Sequence, residues 1–196
     1  MVPLMLLTPV SRHENLERIT ASVGPLVEKF DCNWMTFSDS PRYARPGSSS
    51  HPRIDPSKHY GKPILNEMLD RLRDWGQSAM IGFLDDDTIV PESLADAYTE
   101  FLKHYPDKKA FTVQQVNKDG TMRIDVRARW NRCRIDQGCY FIHTDLIGSH
   151  RFFAEAGADA TLFYGADGEF YHRIRKETSI YWIDLPIIGS IYNALR

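Results

Sequence analysis

The chain has 196 residues, is 42% hydrophobic and carries a formal charge of −2 at pH 7. That length supports one substantial core, so a single domain over residues 1–196 is expected. The near-neutral charge lacks the basic footprint of a dedicated nucleic-acid binder. The cysteines, Cys32, Cys133 and Cys139, are odd in number and show no CxxC pairing, which argues against a disulfide scaffold or a zinc knuckle and for a reducing compartment.

Leu4-Met5-Leu6-Leu7 reads as a first buried strand that breaks at Thr8-Pro9. Val2 to Leu7 lacks a basic leader and is too short to span a membrane, so a soluble, cytoplasmic protein is expected. Asn15 or Ser11 can cap a helix whose apolar positions, Leu16, Ile19, Val23, Leu26, Val27 and Phe30, keep helical spacing. Gly24-Pro25 interrupts that helix or begins a second turn of it. Trp34 to Phe37 predicts a second strand ending at Ser38-Asp39-Ser40, which completes a βαβ unit. Pro41 to Tyr60 has no periodicity and carries Arg42, Arg45, Arg53 and Lys58 against Asp55. It reads as a long loop that either touches phosphate or acceptor or is simply solvated.

Ile64, Leu65, Met68, Leu69, Leu72 and Trp75 set an apolar stripe on a helix that Gly76 ends. The run Ala79 to Leu84 then has the character of a strand covered on both faces, and it stops at Asp85-Asp86-Asp87. Alternation predicts that Asp85 and Asp87 project to one side and Asp86 to the other. Two convergent carboxylates at a strand end suit a hard cation such as Mg²⁺ or Mn²⁺, which keeps positions for water and phosphate; the bland alternative is an acidic, solvated turn. A helix follows, with Pro91 and Glu92 in its first turn and Leu94, Tyr98, Phe101, Leu102 and Tyr105 on its apolar face.

Ala110 to Val116 and Met122 to Ala128 flank Asn117-Lys118-Asp119-Gly120, a hairpin signal and a switch to antiparallel pairing. Gln137 to Ile142 reads as a strand, and Thr144 or Asp145 as the cap of a short helix. Tyr164 to Phe170 opens another helix carrying Phe170, Tyr171 and Ile174, and Ile180 to Ile183 predicts the last strand. In this pattern Asp167 can cap its helix and Asp39 can form an Asx turn. His13, His59, His143, His150 and His172 show no metal-ligand spacing, and the cysteines read as structural.

The order of LLTPVSRHENLERI, WMTFSDS, FLDDDTIVPESL, QGCYFIHTDLI and YGADGEFYHRI resembles the nucleotide-sugar-dependent glycosyltransferases of the GT-A fold, in particular the family 2-like group. The resemblance implies a single Rossmann-like α/β domain with a mostly parallel sheet and a small antiparallel hairpin. It implies Thr8, Pro9 and Ser11 lining the nucleotide pocket, Asp39 on the base, Asp85 and Asp86 beside the nucleotide, Asp85 and Asp87 on Mn²⁺ or Mg²⁺, and Lys62 and Asn66 at a basic and an amide position. Asp167 falls at the catalytic-base position. Ala166 replaces the acid that usually precedes that base, and Glu169 can substitute for or compete with Asp167. The implied reaction is metal-dependent, inverting sugar transfer from a nucleoside-diphosphate sugar, with UDP-sugars the expected donors. The acceptor is a glycan, lipid-linked sugar, protein, small molecule or modified nucleic-acid base. A haloacid-dehalogenase-like phosphatase fits less well, because its aspartates sit on the first strand and its threonine lies one residue further on than Thr88. A nucleotidyltransferase would want a glycine-rich loop where TPVSRHE stands, and an inactive glycosyltransferase-like binding module is the non-enzymatic alternative.

Overall fold

A computed structural model describes residues 2–38, 49–50, 61–126, 135–153 and 165–196. Asp39, nearly all of the basic loop, Cys133, Phe163 and Tyr164 lie outside the described residues.

The described strands form one sheet in the order β3-β2-β1-β4-β7-β5-β6, with β8 also paired to β5. In sequence they are β1 (Leu4–Val10), β2 (Cys32–Ser38), β3 (Ser49–Ser50), β4 (Met80–Phe83), β5 (Ala110–Asn117), β6 (Met122–Ile124), β7 (Tyr140–His143) and β8 (Trp182–Tyr192). The helices are α1 (Leu16–Lys29), α2 (Lys62–Asp74), α3 (Ser93–His104), α4 (Thr144–Ile147) and α5 (Ala166–Thr178). Strands β3, β2, β1 and β4 are parallel; β7 enters antiparallel between β4 and β5, and β5 pairs antiparallel with β6 and parallel with β8.

Alternation along each strand divides the core into two layers. Leu4, Leu6, Met80, Phe111, Val113 and Phe141 face α1 and α3, meeting Ile19, Val23, Leu26, Leu94, Tyr98 and Phe101. Met5, Leu7, Ile81, Phe83, Tyr140 and Ile142 face the other way, onto Ile64, Leu65, Met68, Phe170, Tyr171 and Ile174 of α2 and α5. Helices on both faces of a largely parallel sheet place the ends of β1 and β4 side by side, where such folds build their sites.

Several local expectations are corrected. Strand β1 continues through Thr8-Pro9 to Val10, paired there with β2 alone, since its register with β4 ends at Leu7 and Phe83. Helix α1 runs unbroken past Pro25. Gly24, which has open space around its Cα, removes the clash a side chain before proline would make, and the buried Ile19, Val23 and Leu26 anchor the helix. Neither Asn15 nor Ser11 caps α1 with its side chain; both contact Asp86 instead. The cap of α4 is His143, whose Nδ1 accepts from the Asp145 N–H. Gln137–Cys139 is a 3₁₀ turn capped by Asp136, and only Tyr140 starts the strand. The last strand extends to Tyr192 because Pro186 sits in a bulge: Val113 pairs with Leu185 and Gln114 with Ile188, so no ladder bond is lost at the missing N–H.

Candidate active site

Beyond β4 the backbone leaves the sheet, and Asp85, Asp86 and Asp87 diverge. Asp86 turns back under the end of β1. Its Oδ2 accepts from the Ser11 N–H at 2.7 Å, the Ser11 hydroxyl at 2.8 Å and the Arg12 N–H at 2.7 Å, while the Arg12 guanidinium pairs with its other oxygen. Asn15 Nδ2 adds a bond to the Asp86 carbonyl at 2.9 Å. A carboxylate so fully engaged fastens the loop after β1 to the loop after β4.

Asp87 is buried and receives Arg12 Nη1 at 3.1 Å and Arg196 Nε at 2.5 Å on Oδ2. The chain after β8 is held against this loop by the Leu195 N–H on the Asp87 carbonyl and by the reciprocal Ile89 and Ile191 backbone bonds.

Asp85 points away from these arginines. Its Oδ1 accepts from Gln137 Nε2 at 2.5 Å, and Gln137 Oε1 accepts from Lys62 Nζ at 2.6 Å. Lys62, only 3% exposed, also ion-pairs with Asp167 and lies 5.1 Å from the centroid of the Phe152 ring. Residues from four separate regions, the β4 end, the α2 start, the 3₁₀ turn before β7 and the α5 start, therefore meet in one polar network. Burial raises the Asp85 pKa well above the ordinary carboxylate value; Asp136 adds to this, Lys62 opposes it, and Asp167 and Asp87 reinforce it. Burial likewise raises Asp167, against the Lys62 ammonium and the bonds from Lys62 and the Gln137 N–H. Gly165 occupies the N-cap of α5 with no side-chain cap, so Asp167 is directed into the network rather than onto its own helix end.

Asp136, Gln137, Arg12 and Arg196 were not singled out by sequence reasoning. Asp136 caps its 3₁₀ turn at the Gly138 N–H and ion-pairs with Arg123 at 3.0 Å, and Arg123 stacks 3.6 Å from the Tyr192 ring centroid. The polar opening of the QGCYFIH segment and the arginine directly after Ser11 were the signals available.

The remaining expected residues divide. Thr8 is buried, and its hydroxyl accepts from Trp34 Nε1 at 3.0 Å. Pro9 packs on Gly61, where an added Cβ would come within 2.8 Å of it; the φ of +71° at Gly61 also favours glycine. Asn66 gives both ends of its amide to the Phe152 backbone, donating to the carbonyl at 2.9 Å and accepting from the N–H at 2.7 Å. Glu169, two residues after Asp167, lines a separate cavity beside Arg151 and Arg173. Cys32 and Cys139 are buried thiols; burial pushes Cys32 up to about 12 and also raises Cys139, which disfavours the thiolate at both.

The fit of a divalent cation can be judged from the donors. Among the described residues, Asp85, Asp86, Asp87, Asp136 and Asp167 stand against Arg12, Lys62, Arg123 and Arg196, which leaves one carboxylate in excess. Among the described residues no three His, Cys, Asp or Glu side chains form a closed cage. The expected convergence of Asp85 and Asp87 is not what the structure shows: Asp87 shares Arg12 with Asp86 and also meets Arg196, whereas Asp85 faces Gln137. The donor set therefore suits only a cation that takes one or two carboxylates and completes its shell with water and phosphate.

No protein-family model matches the chain, and no curated protein does. Solved structures do. TarS of S. aureus superposes with a TM-score of 0.65 at 11% identity, covering 97% of this chain and 36% of that one. This chain thus spans about a third of TarS. Glucosyl-3-phosphoglycerate synthase from Mycobacterium tuberculosis, solved with Mn²⁺ and UDP-glucose, gives 0.58 at 12% identity over 96% and 70%. A glycosyltransferase involved in glycosylation of the major capsid of PBCV-1 gives 0.53 at 14% identity over 94% and 81%. The chain has the GT-A-like fold of nucleotide-sugar glycosyltransferases.

Proposed function

We propose that the chain transfers a sugar from a nucleoside-diphosphate sugar to an acceptor hydroxyl. The observation that carries this reading is the convergence of Asp85, Gln137, Lys62 and Asp167 from four regions of the chain at the carboxyl ends of β1 and β4. Asp85 and Asp87 are the carboxylates that would hold a Mg²⁺ or Mn²⁺ ion, which when bound would supply positive charge for the leaving diphosphate. The end of β1, Thr8 to Ser11, and Asp39 border the nucleotide, with a uridine base the first expectation. Asp86 serves the nucleotide pocket indirectly, by fixing Ser11 and Arg12.

Asp167 accepts the proton of the attacking hydroxyl. Its raised pKa makes it a better base than an exposed aspartate, while Lys62 keeps it oriented and limits that rise. One base carboxylate opposite the leaving group is what a single in-line displacement needs, so inversion at the anomeric carbon is the expected outcome, readable from the anomer formed.

The role of Asp167 is tested by Asp167→Asn, which should leave donor affinity unchanged and lower transfer by about 10²–10⁴-fold, the usual range for lost general-base catalysis. Glu169→Gln should act on acceptor KM instead. Near-normal turnover in Asp167→Asn together with loss in Glu169→Gln would move the base to Glu169.

A further inference from the structure

A cavity of about 670 Å³ lies between α2, residues 149–153 and α5, within the size range of small-molecule pockets. Part of its wall is pinned by side-chain contacts. Asn66 clamps the Phe152 backbone in both directions, and the Phe152 ring stacks on Phe170 with centroids 4.1 Å apart. Arg151 is fully engaged, with Nε and Nη2 on Asp70 Oδ1 at 3.0 and 2.5 Å and Nη1 on the Gly148 and His150 carbonyls. Arg173 differs. It is exposed, and its Nη2 donates to the Arg151 carbonyl while the rest of its five-donor fork has no partner among the described residues. Ser149 adds a hydroxyl, His150 an imidazole whose Nε2 lies 3.3 Å from Glu177 Oε2, and Glu169 one carboxylate that has contacts of its own.

We infer that this cavity binds a hydroxyl-bearing small molecule carrying an oxyanion, a phosphorylated or carboxylated polyol or sugar, which is the acceptor class of the transfer. Arg173 takes the oxyanion through its planar fork, and Glu169 accepts from a ligand hydroxyl. The position suits an acceptor. Lys62, the partner of Asp167, lies over the Phe152 ring that also lines the cavity, and Glu169 and Arg173 follow Asp167 on the same helix. Binding the oxyanion here anchors the molecule at a point away from the reacting hydroxyl, the way remote contacts position a substrate.

The identity of the acceptor rests on the transferase reading; the cavity's chemistry does not. The test is titration of the full chain with glycerol 3-phosphate, with glycerate and with glycerol, followed by ¹⁵N chemical-shift changes and calorimetry. Saturable binding of one or both anions, none of glycerol, and shifts at Phe152, Phe153 and Glu169 are expected; which anion binds separates phosphate from carboxylate. Arg173→Gln should weaken the anion by about tenfold and Arg173→Lys should recover part of the loss. Equal binding of glycerol, no binding of either anion, or an unchanged affinity in Arg173→Gln overturns the proposal. If the anion binds through Arg173 but wild-type protein binds no nucleoside diphosphate, the transferase reading falls and the oxyanion site stands.

Discussion

At the scale of single residues, three adjacent aspartates have three different fates. Asp86 has lost its freedom to Ser11 and Arg12, Asp87 shares two arginines, and Asp85 is linked through Gln137 to Lys62. Replacing Asp86 with alanine would orphan the Ser11 and Arg12 N–H groups, so a loss of about 2–3 kcal/mol is expected in chemical denaturation, with the proposed donor pocket loosened as well. His143 gives a pH signature. Burial lowers its pKa below 6.5, with Asp145 opposing and Lys109 assisting. The unfolded chain then binds more protons than the folded one, so this contribution is complete above pH 6.5 and shrinks as pH falls toward the depressed folded value. Wild-type stability should decline through that window, and His143→Gln should flatten the decline; an unchanged slope would show that other groups set it. The strand-end aspartates were visible in the sequence because an apolar run stopping at carboxylates is a local signal. Their separate partners were not, because Ser11 and Arg12 lie more than seventy positions from Asp86 along the chain.

At the scale of elements, the site depends on how closely β4 sits against its neighbours. Gly82 lies where an added Cβ would fall on the Phe141 ring and the Leu6 side chain. Gly82→Ala is therefore expected to cost about 1–3 kcal/mol by overpacking, read as a lower denaturation midpoint with an unchanged m-value. The α2–α5 connection rests on the Lys62–Asp167 pair. Lys62→Met strands the Asp167 carboxylate in a buried place and should cost about 3–5 kcal/mol, whereas adding Asp167→Asn should recover most of that loss; simple additivity would refute the coupling. Helical stripes were legible wherever apolar spacing was strong, as in α2 and α3. Pro25 and Pro186 misled because tertiary context overrides their local meaning: a glycine and a buried face support one, a bulge accommodates the other. The 3₁₀ turn at Gln137–Cys139 was read as strand because it runs directly into the apolar stretch Tyr140 to Ile142, and an apolar run does not mark where its strand begins.

At the scale of the molecule, the sheet sets the carboxyl ends of β1 and β4 side by side between helices on both faces, and the fold matches solved glycosyltransferases over nearly the whole chain at 11–14% identity. Fold and motif order were legible because they depend on patterning that survives sequence divergence. The cavity proposed for the acceptor was not, since its side chains are brought together from α2, residues 149–153 and α5. The excess carboxylate in the donor region predicts that a diphosphate, itself anionic, binds together with a cation. The direct test is thermal unfolding with a panel of nucleoside diphosphates and nucleotide sugars, each with and without Mn²⁺. A ligand confined to the native state stabilises by about 2.7 kcal/mol at a hundredfold excess over Kd. A rise in Tm that needs both Mn²⁺ and one nucleotide, and that disappears in Asp87→Ala, is the predicted result. No rise with any nucleotide in the presence of Mn²⁺ would contradict the assignment of this site to a nucleotide-sugar donor.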